Sequence, residues 1–106
     1  MHDTTPVETA VTPVTPEVLK SEMVHQLRLM GEATAAAWER TVFKALTGRR
    51  REDLDWSYSD NVMGYELWIA TFTQLVAELI RDGSVVREVR DGRGILFAQP
   101  EQGWLN

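Results

Sequence analysis

A chain of 106 residues carrying 16 acidic against 11 basic side chains, net charge −5, has the length of one domain. With no cysteine, disulfides, thiolate nucleophiles and Cys-based zinc or iron–sulfur sites are excluded. The acidic balance also weighs against nucleic-acid binding, whose affinity comes largely from Lys and Arg that displace counterions from phosphate. An apolar fraction of 43% fits an ordinary globular domain. The N-terminus lacks a basic start followed by an apolar core, so no signal peptide is expected and a cytoplasmic location is.

Residues 1–16, MHDTTPVETAVTPVTP, hold three of the four prolines and five threonines, with no Leu, Phe, Trp or Tyr. Such a stretch has too little apolar surface to offset its ordering entropy, and residues 1–15 read as a flexible arm. Thr15-Pro16-Glu17 then supplies a hydroxyl cap, a proline at the first helical position and an acid in the first turn. Leu19, Met23, Leu27 and Met30 form one apolar stripe at helical spacing, Gly31 interrupts it, and Trp38, Val42, Ala45 and Leu46 continue it to Gly48. The segment is either one long kinked helix of about thirty residues or two helices hinged near Gly31, longer than the ~10–14-residue average. A helix of that length offers a homodimer contact.

Arg49, Arg50 and Arg51 are the densest positive charge and candidates for phosphate contact. The bland alternative is that they complement the helix end and pair with Glu52, Asp53 and Asp55. Leu54–Tyr58 reads as a loop, with Ser59 or Asp60 as the next cap. From there Val62, Tyr65, Ile69, Phe72, Val76 and Leu79 alternate by three and four, widened by Trp68, Leu75 and Ile80. Residues 60–82 are therefore either a single helix tolerating Gly64 or two helices, Asp60–Leu67 and Thr71–Asp82, turning at Trp68-Ile69-Ala70. Glu66 and Glu78 bound the most apolar part, so no membrane span is expected.

Asp82-Gly83 stops the helix. Ser84–Arg90 and Gly94–Gln99 are β-rich runs around Asp91-Gly92, a strong hairpin signal. Val85 and Val89 are expected on a buried strand face, with Ile95 and Phe97 able to join it. Pro100 ends the strand, and residues 101–106 form a short tail with Trp104. The fold class is thus mainly α with a C-terminal β-hairpin (α+β), one domain over residues 16–100. The order of the helix in Thr71–Arg81, the glycine stop and the hairpin closing on Asp91-Gly92-Arg93-Gly94 resembles the last helix and β-wing of the winged helix-turn-helix superfamily.

That resemblance implies a small, dimeric DNA-binding regulator of transcription. Its reading helix would be residues 71–82 and its wing residues 84–99. Thr73, Gln74 and Arg81 would meet base edges or phosphates, and Arg87, Arg90 and Arg93 would reach the backbone or minor groove. Glu78 on the same helix opposes phosphate, and the arginines also suit a solubilised edge hairpin. Members of the superfamily also serve as protein-binding adaptors or inhibitors. Trp56, Tyr58 and Trp104 are the aromatic anchors such a role would use.

No enzymatic constellation stands out. Glu22-x-x-His25 has the spacing of a di-iron half-site, yet the only other histidine is His2 in the arm. Gly92-x-Gly94 precedes a strand, whereas a phosphate-binding loop opens a helix. No metal or cofactor is expected.

Overall fold

A computed structural model describes residues 15–99. Its elements are helix α1 (Pro16–Met30), helix α2 (Ala35–Thr47), a 3-10 turn (Arg51–Asp53), helix α3 (Ser59–Arg81), and strands β1 (Val85–Arg90) and β2 (Arg93–Ala98). The fold is mainly helical with a C-terminal antiparallel hairpin. The arm and the tail, Trp104 included, lie outside the described residues.

Local chemistry accounts for most boundaries. The Thr15 hydroxyl accepts from the Val18 amide at 3.2 Å and starts α1. The Thr34 hydroxyl does the same for Ala37 at the start of α2. The apolar run of residues 16–47 is thus two helices, and the separation has a tertiary cause. Between them Ala33 exchanges two backbone hydrogen bonds with Leu96 of β2, at 2.9 and 2.8 Å. This bridge adds a third extended piece beside the hairpin, and a continuous helix through residue 33 would forfeit it.

Residues 60–82 take the single-helix alternative, running unbroken from Ser59 to Arg81. The expected cap at Ser59 or Asp60 does not form. Tyr58 holds the capping position without a side-chain bond, and Asp55 organises the approach by accepting from the Ser57 amide and hydroxyl. The hairpin turn has positive φ at both Asp91 (53°) and Gly92 (78°), the pair of angles that a tight two-residue turn between twisted strands requires.

That turn fixes the register from Arg90↔Arg93 back to Val85↔Ala98. The expected inward face is corrected accordingly. Leu96, opposite Arg87, shares the buried face with Val85, while Ile95 and Phe97 fall on the alternate face and are only half-buried. Val89 is 66% exposed, because β1 has run past the core by that point.

The core lies where α1, α2, α3 and the base of the hairpin meet. Leu19, Met23 and Leu27 of α1, Trp38 and Val42 of α2, Phe72, Leu75 and Leu79 of α3, and Val85 and Leu96 are buried together. Trp38 is its hub. The indole is fully buried, donates Nε1–H to the Met23 carbonyl at 2.8 Å and meets Phe72 edge-on at 5.2 Å. Such a ring adds about 0.5–1.5 kcal/mol per aromatic contact beyond its area burial. No described helix is long and apolar enough to cross a membrane.

Candidate functional site

The continuity of α3 decides what its outward surface presents. With Phe72, Leu75 and Leu79 turned into the core, residues 60, 63, 67, 70 and 74 fall at spacings of three and four on the opposite side. They are Asp60, Met63, Leu67, Ala70 and Gln74, all exposed. Met63 is 65% and Leu67 70% exposed, values typical of charged rather than apolar side chains. Tyr58, 64% exposed, stands at the amino end of the same helix. Trp56 packs its edge against Tyr65 at 5.5 Å and keeps 39% of its surface open. Exposed Glu66 and Asp60 put carboxylates beside this stripe.

Three of the seven arginines expected to meet DNA, Arg50, Arg51 and Arg90, are engaged within the chain. Arg50 binds Asp53 at 3.3 Å, which raises the guanidinium pKa and lowers that of the carboxyl. Arg51 lies over the Tyr65 ring, 5.3 Å from its centroid. Arg90 pairs with Glu32 at 2.8 Å and Glu88 at 2.9 Å, the two carboxylates, Glu32 foremost, raising its pKa. Arg87 crosses the hairpin above Gly94, where a Cβ would come within 3.0 Å of the guanidinium.

Arg49 is exposed just beyond α2, Arg81 at the end of α3 and Arg93 at the hairpin tip. Gln74 donates to Glu78, which also binds Lys20 of α1 at 2.6 Å. Those two bonds, Lys20 first, hold the Glu78 carboxyl below its ordinary pKa. Thr73 is exposed on the flank of α3, next to Phe72 and Val76. The nine candidate DNA contacts come from three parts of the fold, with Thr73, Gln74 and Arg81 on α3. Arg49, Arg50 and Arg51 follow α2, whereas Arg87, Arg90 and Arg93 belong to the hairpin.

The two aromatics expected at a protein interface, Trp56 and Tyr58, are both exposed at the entrance to α3. Met63 and Leu67 were not among the sequence-derived candidates. Their signal is a second apolar pair, four residues apart, on the side away from Tyr65, Ile69 and Phe72, and the unbroken helix carries that side on to Ala70 and Gln74. Among the described residues no cluster of His, Asp or Glu has the form of a metal site, and Glu22 instead accepts from Gln26 at 2.6 Å. Comparison with family models, with curated proteins and with solved structures finds no match to this chain.

Proposed function

We propose that the protein is a winged-helix-type adaptor or inhibitor that binds another protein through the outer face of α3. The observation that carries this reading is the exposed Met63–Leu67 stripe on the helix that, in such a domain, projects toward a partner. Asp60, Met63 and Leu67 of the outward stripe offer no donor to a base edge, and the exposed carboxylates of Asp60 and Glu66 repel phosphate. Exposed Met and aromatic residues within an acidic surface suit a complementary protein, one with an apolar hollow rimmed by Lys or Arg. The superfamily part of this reading rests on element order alone. A helix, a bridged extended residue, two further helices and a hairpin follow one another, with α2 and α3, joined by residues 48–58, as the available helix pair.

The test begins with a photocrosslinking amino acid at Leu67, and at Lys44 of α2 as control, in the cells that make the protein. A discrete adduct at Leu67 alone identifies the partner, whose affinity is then measured with purified components. Leu67→Asp and Met63→Asp should each weaken binding by about tenfold or more, as central interface contacts do. Equal affinities for wild type and both variants would sink the proposal.

A second reading, transcriptional regulation through DNA, draws on Arg81 and Arg93, exposed at the end of α3 and at the hairpin tip. It requires duplex binding with a salt slope that shrinks in the Arg87/Arg90/Arg93→Ala variant.

A further inference from the structure

Glu39 is the sole buried charged side chain among the described residues, 5% exposed on the inner side of α2. Its Oε2 accepts from the Tyr65 hydroxyl at 2.7 Å and from Trp68 Nε1 at 2.5 Å, both on α3. Its Oε1 has no hydrogen-bond partner among the described residues. A carboxylate removed from water ordinarily has its acceptor sites filled, and a half-filled one in a cavity is an attachment point.

The cavity is there. Between α2 and α3 a space of about 310 Å³ is lined by Glu39, Arg51 and the apolar Ile69, Phe72 and Val76, with Ala35, Ala36 and Thr73 completing it. Its size lies at the lower end of the ~300–1,000 Å³ usual for small-molecule sites, which are likewise mostly apolar with a few convergent polar groups. Glu39 and Arg51 line the same cavity yet form no ion pair with each other. Arg51 is held instead over the Tyr65 ring.

A ligand that satisfies every wall must donate to Glu39, bring an anionic oxygen to Arg51 and place an apolar group against Ile69, Phe72 and Val76. We infer that this cavity binds a small zwitterion with an apolar side chain, of the α-amino acid class, its ammonium on Glu39 and its carboxylate toward Arg51. An ammonium has donors and no acceptor, matching the open Oε1, and a guanidinium is the usual planar partner of a carboxylate. The site stands apart from the Met63–Leu67 stripe, which occupies the opposite flank of α3, so it does not depend on the adaptor reading.

Three probes separate the contributions: L-leucine, its decarboxylated analogue 3-methylbutylamine and its deaminated analogue 4-methylpentanoate. Each is titrated into the full chain while amide chemical shifts are followed. Leucine should give saturable shifts at Ala35, Ala36, Thr73 and Val76 with a Kd of about 1 mM or tighter, within reach of so small a ligand. Each analogue should bind about tenfold more weakly. Glu39→Gln keeps an acceptor for Tyr65 and Trp68 but removes the charge, and should weaken leucine and the amine while leaving 4-methylpentanoate unchanged. Arg51→Gln, a change outside the core, should weaken leucine and the acid and leave the amine unchanged. Equal binding of all three probes, shifts elsewhere on the molecule, or no saturation by leucine would overturn the assignment.

Discussion

Tyr65 shows how one contact sets the chemistry of a single side chain. Its hydroxyl donates to Glu39 Oε2, and its ring lies between Phe43 on one side and Trp56 on another, with Arg51 above. Burial removes the water a phenolate would need, and ionisation would place a second negative charge beside the Glu39 carboxylate. Together these push the Tyr65 pKa up to about 12, against a smaller downward pull from Arg51 and Arg40. The folded state therefore favours the neutral phenol. This contribution to stability is fully present below the ordinary tyrosine value near 10, and is lost as pH rises from there through about 12. The difference in phenolate absorbance between wild type and Tyr65→Phe should show a midpoint near 12, and Glu39→Gln should bring it down. A midpoint near 10 in the wild type would mean that the hydroxyl is solvated rather than bonded to Glu39.

At the scale of elements, α3 makes the sharpest claim, since its continuity carries the outward stripe from Met63 and Leu67 on to Ala70 and Gln74. Gly64 lies in its interior, its φ is not positive, and a Cβ built there meets nothing within 4 Å. Alanine at 64 should thus add helix propensity without a clash, stabilising the protein by about 1 kcal/mol and raising Tm by about 4–8 °C. Thermal unfolding checks this, and a loss of stability would mean the helix is broken at that point. The elements legible in the sequence are those set by local sterics and capping. The Thr15-Pro16 start, the glycine stops at 31 and 48, the Asp82-Gly83 end and the Asp91-Gly92 turn each act within a few residues. What was not legible depends on distant partners. The break between α1 and α2 follows from Ala33 pairing with Leu96, and the choice of one helix over two for residues 60–82 follows from packing against α1, α2 and the hairpin. The same division holds for the candidate sites. Arginines announce themselves by type, whereas the Glu32 that occupies Arg90 and the Tyr65 beneath Arg51 come from other parts of the chain. Glu39, flanked in sequence by Trp38 and Arg40, carries no local mark of burial.

For the molecule as a whole, the net charge of −5 becomes a statement about acid stability once the carboxylates are assigned partners. Glu78 is held below its ordinary pKa by Lys20 and Gln74, Asp53 by Arg50, and Asp55 and Asp82 by the serines two residues on. Each of these groups prefers to be ionised in the folded chain. Their contribution is present above the ordinary carboxylate range and is lost as pH falls through the lowered values. Below that range 11 Lys and Arg remain with no compensating charge, so self-repulsion adds to the loss. The Glu78–Lys20 pair matters most in this set because it links α3 to α1 at the surface, between residues far apart in sequence, whereas the Arg50–Asp53 pair closes only a local turn. Denaturant titrations should find stability nearly level from neutral pH down to the ordinary carboxylate range near 4 and falling steeply below it. Glu78→Gln should lower the neutral plateau and make the acid decline shallower, since the variant has already lost the charge that protonation removes. Asp53→Asn should leave the slope almost unchanged. A Glu78→Gln profile parallel to the wild type at every pH would show that the α1–α3 pair carries no weight in holding the molecule together.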